Sequence, residues 1–393
     1  MPPSARLRGR AVLRDPGEDH RTASTLELLF DLTFVVAVNQ ASGALAHELL
    51  DGRVGYGVIG FGAVFFAVWW AWMNFTWFNS AHDADDLPHR ALTLVQMAGV
   101  LVLAAGVAPA IEDRSQLTIT IGYCIMRSAL VVSWLRVARD VPDSRPRALR
   151  YAAGISVLQV LWFARLLLPA PLAMPSFALL ALCELVVPYW AERATPEPLF
   201  HPAHIEERYG LFTLIVLGES ILAATAGFQQ ALTAAGLTAG LLTVGLGGLV
   251  LAFSAWWLYF EHPGHLTPNP AIAFRWGYGH VVVFASLAAM GAGIHVAADT
   301  VAHGGDVRVA AMSVAVPVAG YLAGLALIMV LTGTRVGDAR IWPKLGGAAA
   351  IIAIGLTQPV AATVALSAAV MVSLGVAMAL AGPAPAREPG QTA

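Results

Sequence analysis

The sequence predicts an all-α fold: a polytopic transmembrane helical bundle of about 12 spans, arranged as two parallel six-helix repeats. Three observations predict it. Of 393 residues, 58% are hydrophobic and 12% charged, with a mean hydropathy of +0.68, whereas a soluble domain carries about 25% charge. Apolar runs close to the roughly 20 residues that cross a bilayer recur along the chain, without the period-two alternation of half-buried strands. The basic residues fall unevenly between the connections, as the positive-inside rule requires. This composition excludes a soluble enzyme, a nucleic-acid binder and a disordered chain. A net charge of −2 offers no field to a polyanionic partner.

The first 25 residues hold five arginines (Arg6, Arg8, Arg10, Arg14 and Arg21) and no apolar core. They read as a cytoplasmic Arg-rich segment rather than a cleavable signal peptide. Twelve apolar segments follow, near 26–46, 54–78, 90–110, 116–138, 148–168, 172–190, 208–227, 235–260, 274–298, 308–332, 344–358 and 360–381. In lipid each backbone polar group must be satisfied within its own segment, so these runs are helices. The eleventh is short, and Gln358-Pro359 barely separates it from the twelfth. The first repeat covers 26–190, a cytoplasmic linker 191–207, the second repeat 208–381 and a disordered tail 382–393. Cys124 and Cys183 lie in apolar runs and suit neither a disulfide framework nor a thiolate metal site. Lys344 is the one lysine against 22 arginines, a bias of GC-rich bacterial coding.

With the N-terminus inside, 18 of the 23 basic residues fall in inside segments and four in outside segments. The Arg136, Arg139, Arg145, Arg147 and Arg150 cluster dominates that count. The bias places both termini of a multi-pass membrane protein in the cytoplasm. A repeat then emerges: Leu29–Gln40 (LFDLTFVVAVNQ) and Tyr209–Ser220 (YGLFTLIVLGES) open the two halves, with Thr33 aligned to Thr213 and Asn39 to Glu219. Trp69-Trp70 and Trp256-Trp257 follow, then Arg90 and Arg275. Six spans per half keep the halves in the same orientation, as in parallel-repeat transporters.

Candidate chemistry lies with the few charges inside the spans. Glu27 and Asp31 are four residues apart and share a helix face, with Asn39 deeper on a nearby face. Like charges at this spacing repel, so one is protonated or both meet a cation; equally, the pair caps the helix start. Glu219 lies about three turns, roughly 16 Å, beyond Arg208 on the same side of its helix. An ionised acid there costs about 2.5–3.5 kcal/mol on insertion scales, so it binds an ion or a proton, or pairs structurally, for instance with Arg127. Glu184 precedes Pro188, whose missing amide frees the Glu184 carbonyl; a broken-helix site and a simple kink with a protonated carboxyl fit alike.

Histidine and acid groups flank three spans on the expected cytoplasmic side. They include His82, Asp83, His204, Glu261, His262 and His265. Imidazole with carboxylate suits zinc, iron or manganese, and it also suits a proton-collecting vestibule. Loop histidines are common and no His-Glu-x-x-His pair is present. The runs Trp69–Phe78 (WWAWMNFTWF) and Ser254–Phe260 (SAWWLYF) read as interfacial aromatic belts, with a cation platform as the sharper alternative.

Glu27–Gln40 (ELLFDLTFVVAVNQ) and His204–Leu222 (HIEERYGLFTLIVLGESIL) resemble the two motifs of the bacterial low temperature requirement A (LtrA) family. The likeness extends in layout over about 20–380. It implies a bacterial integral membrane protein named for a growth phenotype in the cold, with no known substrate, reaction or cofactor. It implies that Glu27, Asp31, His204, Glu207, Arg208 and Glu219 form the polar signature, with Glu206 a second acid beside Glu207.

The function expected is secondary transport of an ion or small solute through intramembrane carboxylates, chiefly Asp31 and Glu219. No Walker motif supports direct use of ATP. An ion channel built of two six-helix repeats, a membrane-embedded metal-dependent enzyme and a non-catalytic scaffold remain open beside it. The expected partners are the lipid bilayer, a small solute or ion and, in a homo-oligomer, further copies of the chain; no nucleic acid is expected.

Overall fold

The computed structural model describes Ala11, 22–82, 85–112, 115–194, 200–261, Leu266 and 269–381. Thirteen α-helices and no β-strand occur among the described residues: α1 (Thr25–Leu50), α2 (Val54–Ala81), α3 (Leu87–Ala105), α4 (Val107–Glu112), α5 (Leu117–Asp140), α6 (Arg145–Arg165), α7 (Ala173–Glu192), α8 (Pro202–Ala235), α9 (Ala239–Phe260), α10 (Pro270–His303), α11 (Val307–Leu331), α12 (Ile341–Thr357) and α13 (Val360–Ala381). Every expected apolar segment falls on a helix. Ten helices are long and apolar enough to cross a membrane. Outside that set are α4, α6 with four arginines in 21 residues, and α12 with 17 residues.

Local chemistry sets the helix ends. At α1 the Ser24 hydroxyl accepts from the Glu27 amide while the Glu27 carboxylate accepts from the Ser24 amide, a reciprocal capping box. Asp86, Thr238 and Asp306 cap α3, α9 and α11 in the same sense, each worth about 1 kcal/mol. Gly236 ends α8 at φ +68°, a left-handed conformation that only glycine adopts freely. The third expected segment is broken into α3 and α4. Pro109 cannot donate to the Ala105 carbonyl and its ring crowds it, so the first helix stops at Ala105. α8 begins at Pro202, six residues before the expected span. Proline suits the first helical position, and the His201 ring accepts from the His204 amide at 3.2 Å. His204 therefore stands one turn before Arg208 on the same helix rather than in the expected linker.

Two compact units divide the chain. The first comprises Met1–Glu219 and His265–Val281, the second Ser220–Gly264 and Val282–Ala393. In the first, α1 packs on α2, α3 and α4, and successive contacts join α3 to α5, α5 to α6 and α6 to α7. The α3–α5 seam closes on small residues, since a methyl group on Gly99 would stand 2.9 Å from the Met126 amide and one on Gly122 would meet the Leu103 backbone. In the second, α9 packs on α13, and α11 packs on α12 and α13. Gly355 admits Ala315 of α11, and Gly375 admits the Trp257 ring. Leucines and valines such as Val160, Leu179 and Leu246 stay exposed, which suits surfaces solvated by lipid.

The first tryptophan run is not an interfacial belt. Trp69, Trp70 and Trp72 are at most 1% exposed, 15 to 18 residues into a 28-residue helix. A buried indole N–H seeks an acceptor, and two of the three find carboxylates. In the second run Trp256 is exposed and Trp257 donates to Glu261 of its own helix, which leaves the belt reading open there.

Candidate functional site

The candidate acids Glu27 and Asp31, Glu184, and Glu219 fall in three separate settings of the first unit. In the first, α1 presents Glu27 and Asp31 on one face to Arg208 of α8. The guanidinium Nη1 donates to Glu27 Oε1 at 2.7 Å, Nε to Asp31 Oδ2 at 3.0 Å and Nη2 to Asp31 Oδ1 at 2.6 Å. Trp72 of α2 donates to Asp31 Oδ1 at 2.7 Å. His204 Nε2 lies 3.2 Å from Glu27 Oε1. All three charged side chains are buried to 2% exposure or less. The two alternatives for the acids thus resolve into one arrangement, in which Glu27 both caps α1 and, with Asp31, meets a cation. One guanidinium thus serves two carboxylates, with the His204 ring against Glu27 beside it. A planar fork suits this double task where an ammonium would not.

Glu207 stands aside from that cluster. Its carboxylate accepts from the Ala23 amide at 3.1 Å and ties the chain before α1 to α8. The neighbouring Glu206 accepts from the Leu266 amide. Each acid thus accepts from a backbone amide.

The second setting surrounds Glu184 of α7, which runs unbroken through Pro188. Its carboxylate accepts from four side chains: Arg127 Nη2 at 2.7 Å and Trp70 Nε1 at 2.9 Å on one oxygen, Tyr123 Oη at 3.0 Å and Trp162 Nε1 at 3.2 Å on the other. Helices α2, α5, α6 and α7 converge on this one anion. Arg127, considered above as a partner for Glu219, pairs with Glu184 instead. Four donors satisfy both oxygens.

The third setting is Glu219, 2% exposed on α8. The Asn39 side-chain amide of α1 donates to its Oε1. No ion pair to Glu219 occurs among the described residues. Asp31 and Glu184 therefore pair with different arginines, while no cation among the described residues meets Glu219.

His82 ends α2 with its ring buried among aromatic side chains, and Glu261 accepts from Trp257 one turn back. Asp83, His262 and His265 lie outside the described residues. No group of three or more His, Cys, Asp or Glu among the described residues is placed to hold a metal ion.

The residues missed from sequence are neutral donors: Trp72 for Asp31, and Trp70, Tyr123 and Trp162 for Glu184. Their signal was present, since an aromatic N–H or O–H inside an apolar run needs an acceptor, and the acids were the acceptors at hand.

Against known proteins, the family model described as "Bacterial low temperature requirement A protein (LtrA)" matches residues 22–380. The uncharacterized protein RA0937 of Rhizobium meliloti (strain 1021) is 27% identical over 290 residues, which cover 69% of this chain and 68% of that relative. No solved structure matches the chain.

Proposed function

The chain belongs to the bacterial low temperature requirement A family and is a multi-pass integral membrane protein; from that premise we propose that it is a secondary transporter of an ion or small solute, set in the bacterial inner membrane with both termini in the cytoplasm. The observation that carries this reading is the state of Glu219, a buried acid whose partner is an amide and not a cation. An ionised carboxylate at bilayer depth costs about 2.5–3.5 kcal/mol unless something neutralises it. Such a group takes up its charge with a bound cation and loses it with a bound proton, which is the chemistry that ion-coupled transport needs. The Asn39 amide supports the anion by donating to it, and the Glu27–Asp31–Arg208 cluster anchors the same two helices one to the other.

Asn39 and Glu219 are also the positions aligned by the internal repeat, 180 residues apart. A contact between equivalent positions is what a pseudo-twofold axis between α1 and α8 would produce, and binding sites of parallel-repeat transporters lie at the repeat interface.

Proteoliposomes of the full chain test this. An imposed proton or sodium gradient, read by a lumenal dye, drives an ion flux in the wild-type chain, and Glu219→Gln removes it. A solute uptake indifferent both to the gradient and to Glu219→Gln would overturn the reading.

A further inference from the structure

At the C-terminal end of α2, a cavity of about 40 Å³ is lined by His82 with Arg147, Tyr151, Glu192, Trp77 and Trp134. Its lining charges are already matched: Arg147 Nε stands 3.1 Å from Glu192 Oε2, and the Tyr151 hydroxyl donates to Glu192 Oε1 at 2.9 Å. Its walls are rigid. Trp134 and Tyr151 stack 4.2 Å apart and 5° from parallel, while the His82 ring lies 5.6 Å from Phe78 and 5.4 Å from Trp134.

His82 is the exception. Its side chain is 2% exposed, and among the described residues neither ring nitrogen has a hydrogen-bond partner. A neutral imidazole carries one donor and one acceptor. Leaving both unmet in a buried site is a standing cost that native proteins rarely carry without a bound water or ligand. Burial and the nearby Arg147 guanidinium push the His82 pKa down to about 3, so the ring enters the cavity uncharged.

We propose that this chamber binds a small uncharged polar solute of the amide class, with His82 as the residue that recognises it. Size, charge and hydrogen bonding each narrow the class. One water occupies about 10–15 Å³ by this measure, so the space holds roughly three waters or one molecule of three or four heavy atoms. An ion would enter with no free counter-charge and a full desolvation cost, because the arginine and the glutamate already neutralise each other. An amide carries both a donor and an acceptor to match the two imidazole nitrogens. The site is independent of the Asn39–Glu219 pair and stands whether or not that pair couples transport.

Acetamide is the probe and acetate its charged isostere. Saturation-transfer NMR on the full chain in nanodiscs should show saturable acetamide binding in the millimolar range. Acetate should bind at least tenfold more weakly. His82→Phe should weaken acetamide binding tenfold or more, while His82→Gln, which keeps a donor and an acceptor, should retain most of it. The ring ¹⁵N signals of His82, assigned by their loss in His82→Gln, should shift during the wild-type titration. That measurement needs no variant other than the one used for assignment. Absence of saturable binding would mean that water alone fills the chamber and would overturn the proposal, as would unshifted ring signals or equal binding by a folded His82→Phe. Acetate binding as tight as acetamide would overturn the uncharged class.

Discussion

Asn39 of α1 and Glu219 of α8 lie 180 residues apart in sequence, and the Asn39 amide nitrogen donates a hydrogen bond to the Glu219 carboxylate. The bond is asymmetric in its consequences. Asn39→Leu leaves a buried acid with no donor, and should lower stability by about 1–3 kcal/mol. Glu219→Gln keeps an acceptor oxygen and removes the charge, so its melting temperature should equal or exceed that of the wild type. Thermal unfolding in detergent checks both. A Glu219→Gln variant that folds and melts normally is also the one that makes its loss of ion flux interpretable.

Arg208 should be the least replaceable of the buried charges. Its removal leaves Glu27 and Asp31 facing each other without a cation, and breaking a buried pair this way costs about 3–5 kcal/mol. Arg208→Gln should express poorly or melt far below the wild type. Arg208→Lys should recover little, because an ammonium cannot make the fork that reaches both carboxylates. Asp31→Asn added to Arg208→Gln should cost less than the sum of the two changes. Additive losses in that double-mutant cycle would refute the direct coupling.

Much of this could be read from the chain alone, and what was not has a common cause. Hydropathy placed its apolar segments on helices because a lipid-facing stretch must satisfy its own backbone, although one segment divides in two and ten helices are long and apolar enough to cross a membrane. Spacing put Glu27 and Asp31 on one face, and the structure keeps them there against one cation. Partner choice was less legible. Arg127 was read beside Glu219 but pairs with Glu184, since helix order along the chain does not say which faces meet. The tryptophans of α2 were read as a belt because a 25-residue span put them near its end, whereas a 28-residue helix carries them inward to serve as donors. The break at Gly106 follows from Pro109, a local rule that the long apolar run obscured.

Acid should destabilise the fold partly through His82. Its pKa is about 3 in the folded chain and about 6.5 in an unfolded one. Between those values the unfolded chain binds a proton that the folded chain refuses, so stability rises with pH across that window and falls as pH drops through it. The slope reaches about 1.4 kcal/mol per pH unit for one proton. His82→Phe should flatten the pH dependence of the melting temperature between about 6.5 and 4. Asp338, held well below the usual carboxylate range by its hydrogen bonds with Arg340, loses its contribution only as pH falls through the carboxylate range. The upper part of the window therefore belongs to His82 in any comparison of these two groups.

The Arg127–Glu184 pair should behave as a structural pin rather than a working site. Its carboxylate has four donors and no free lone pair facing a cavity, so it gains nothing from a bound ion. Arg127→Met alone strands a buried anion and should cost about 3–5 kcal/mol. Arg127→Met with Glu184→Gln removes both charges while the amide oxygen keeps an acceptor for one of the two indoles, and should recover part of that loss. The same double variant should retain the ion flux lost in Glu219→Gln. Flux abolished in a folded, stable double variant would move the coupling site from Glu219 to Glu184. Tryptophan emission supplies a local control, because Trp70 and Trp162 both donate to this carboxylate and their spectra should shift with its charge. Emission unchanged between the wild type and Glu184→Gln would mean that the indoles do not donate to that anion in the membrane.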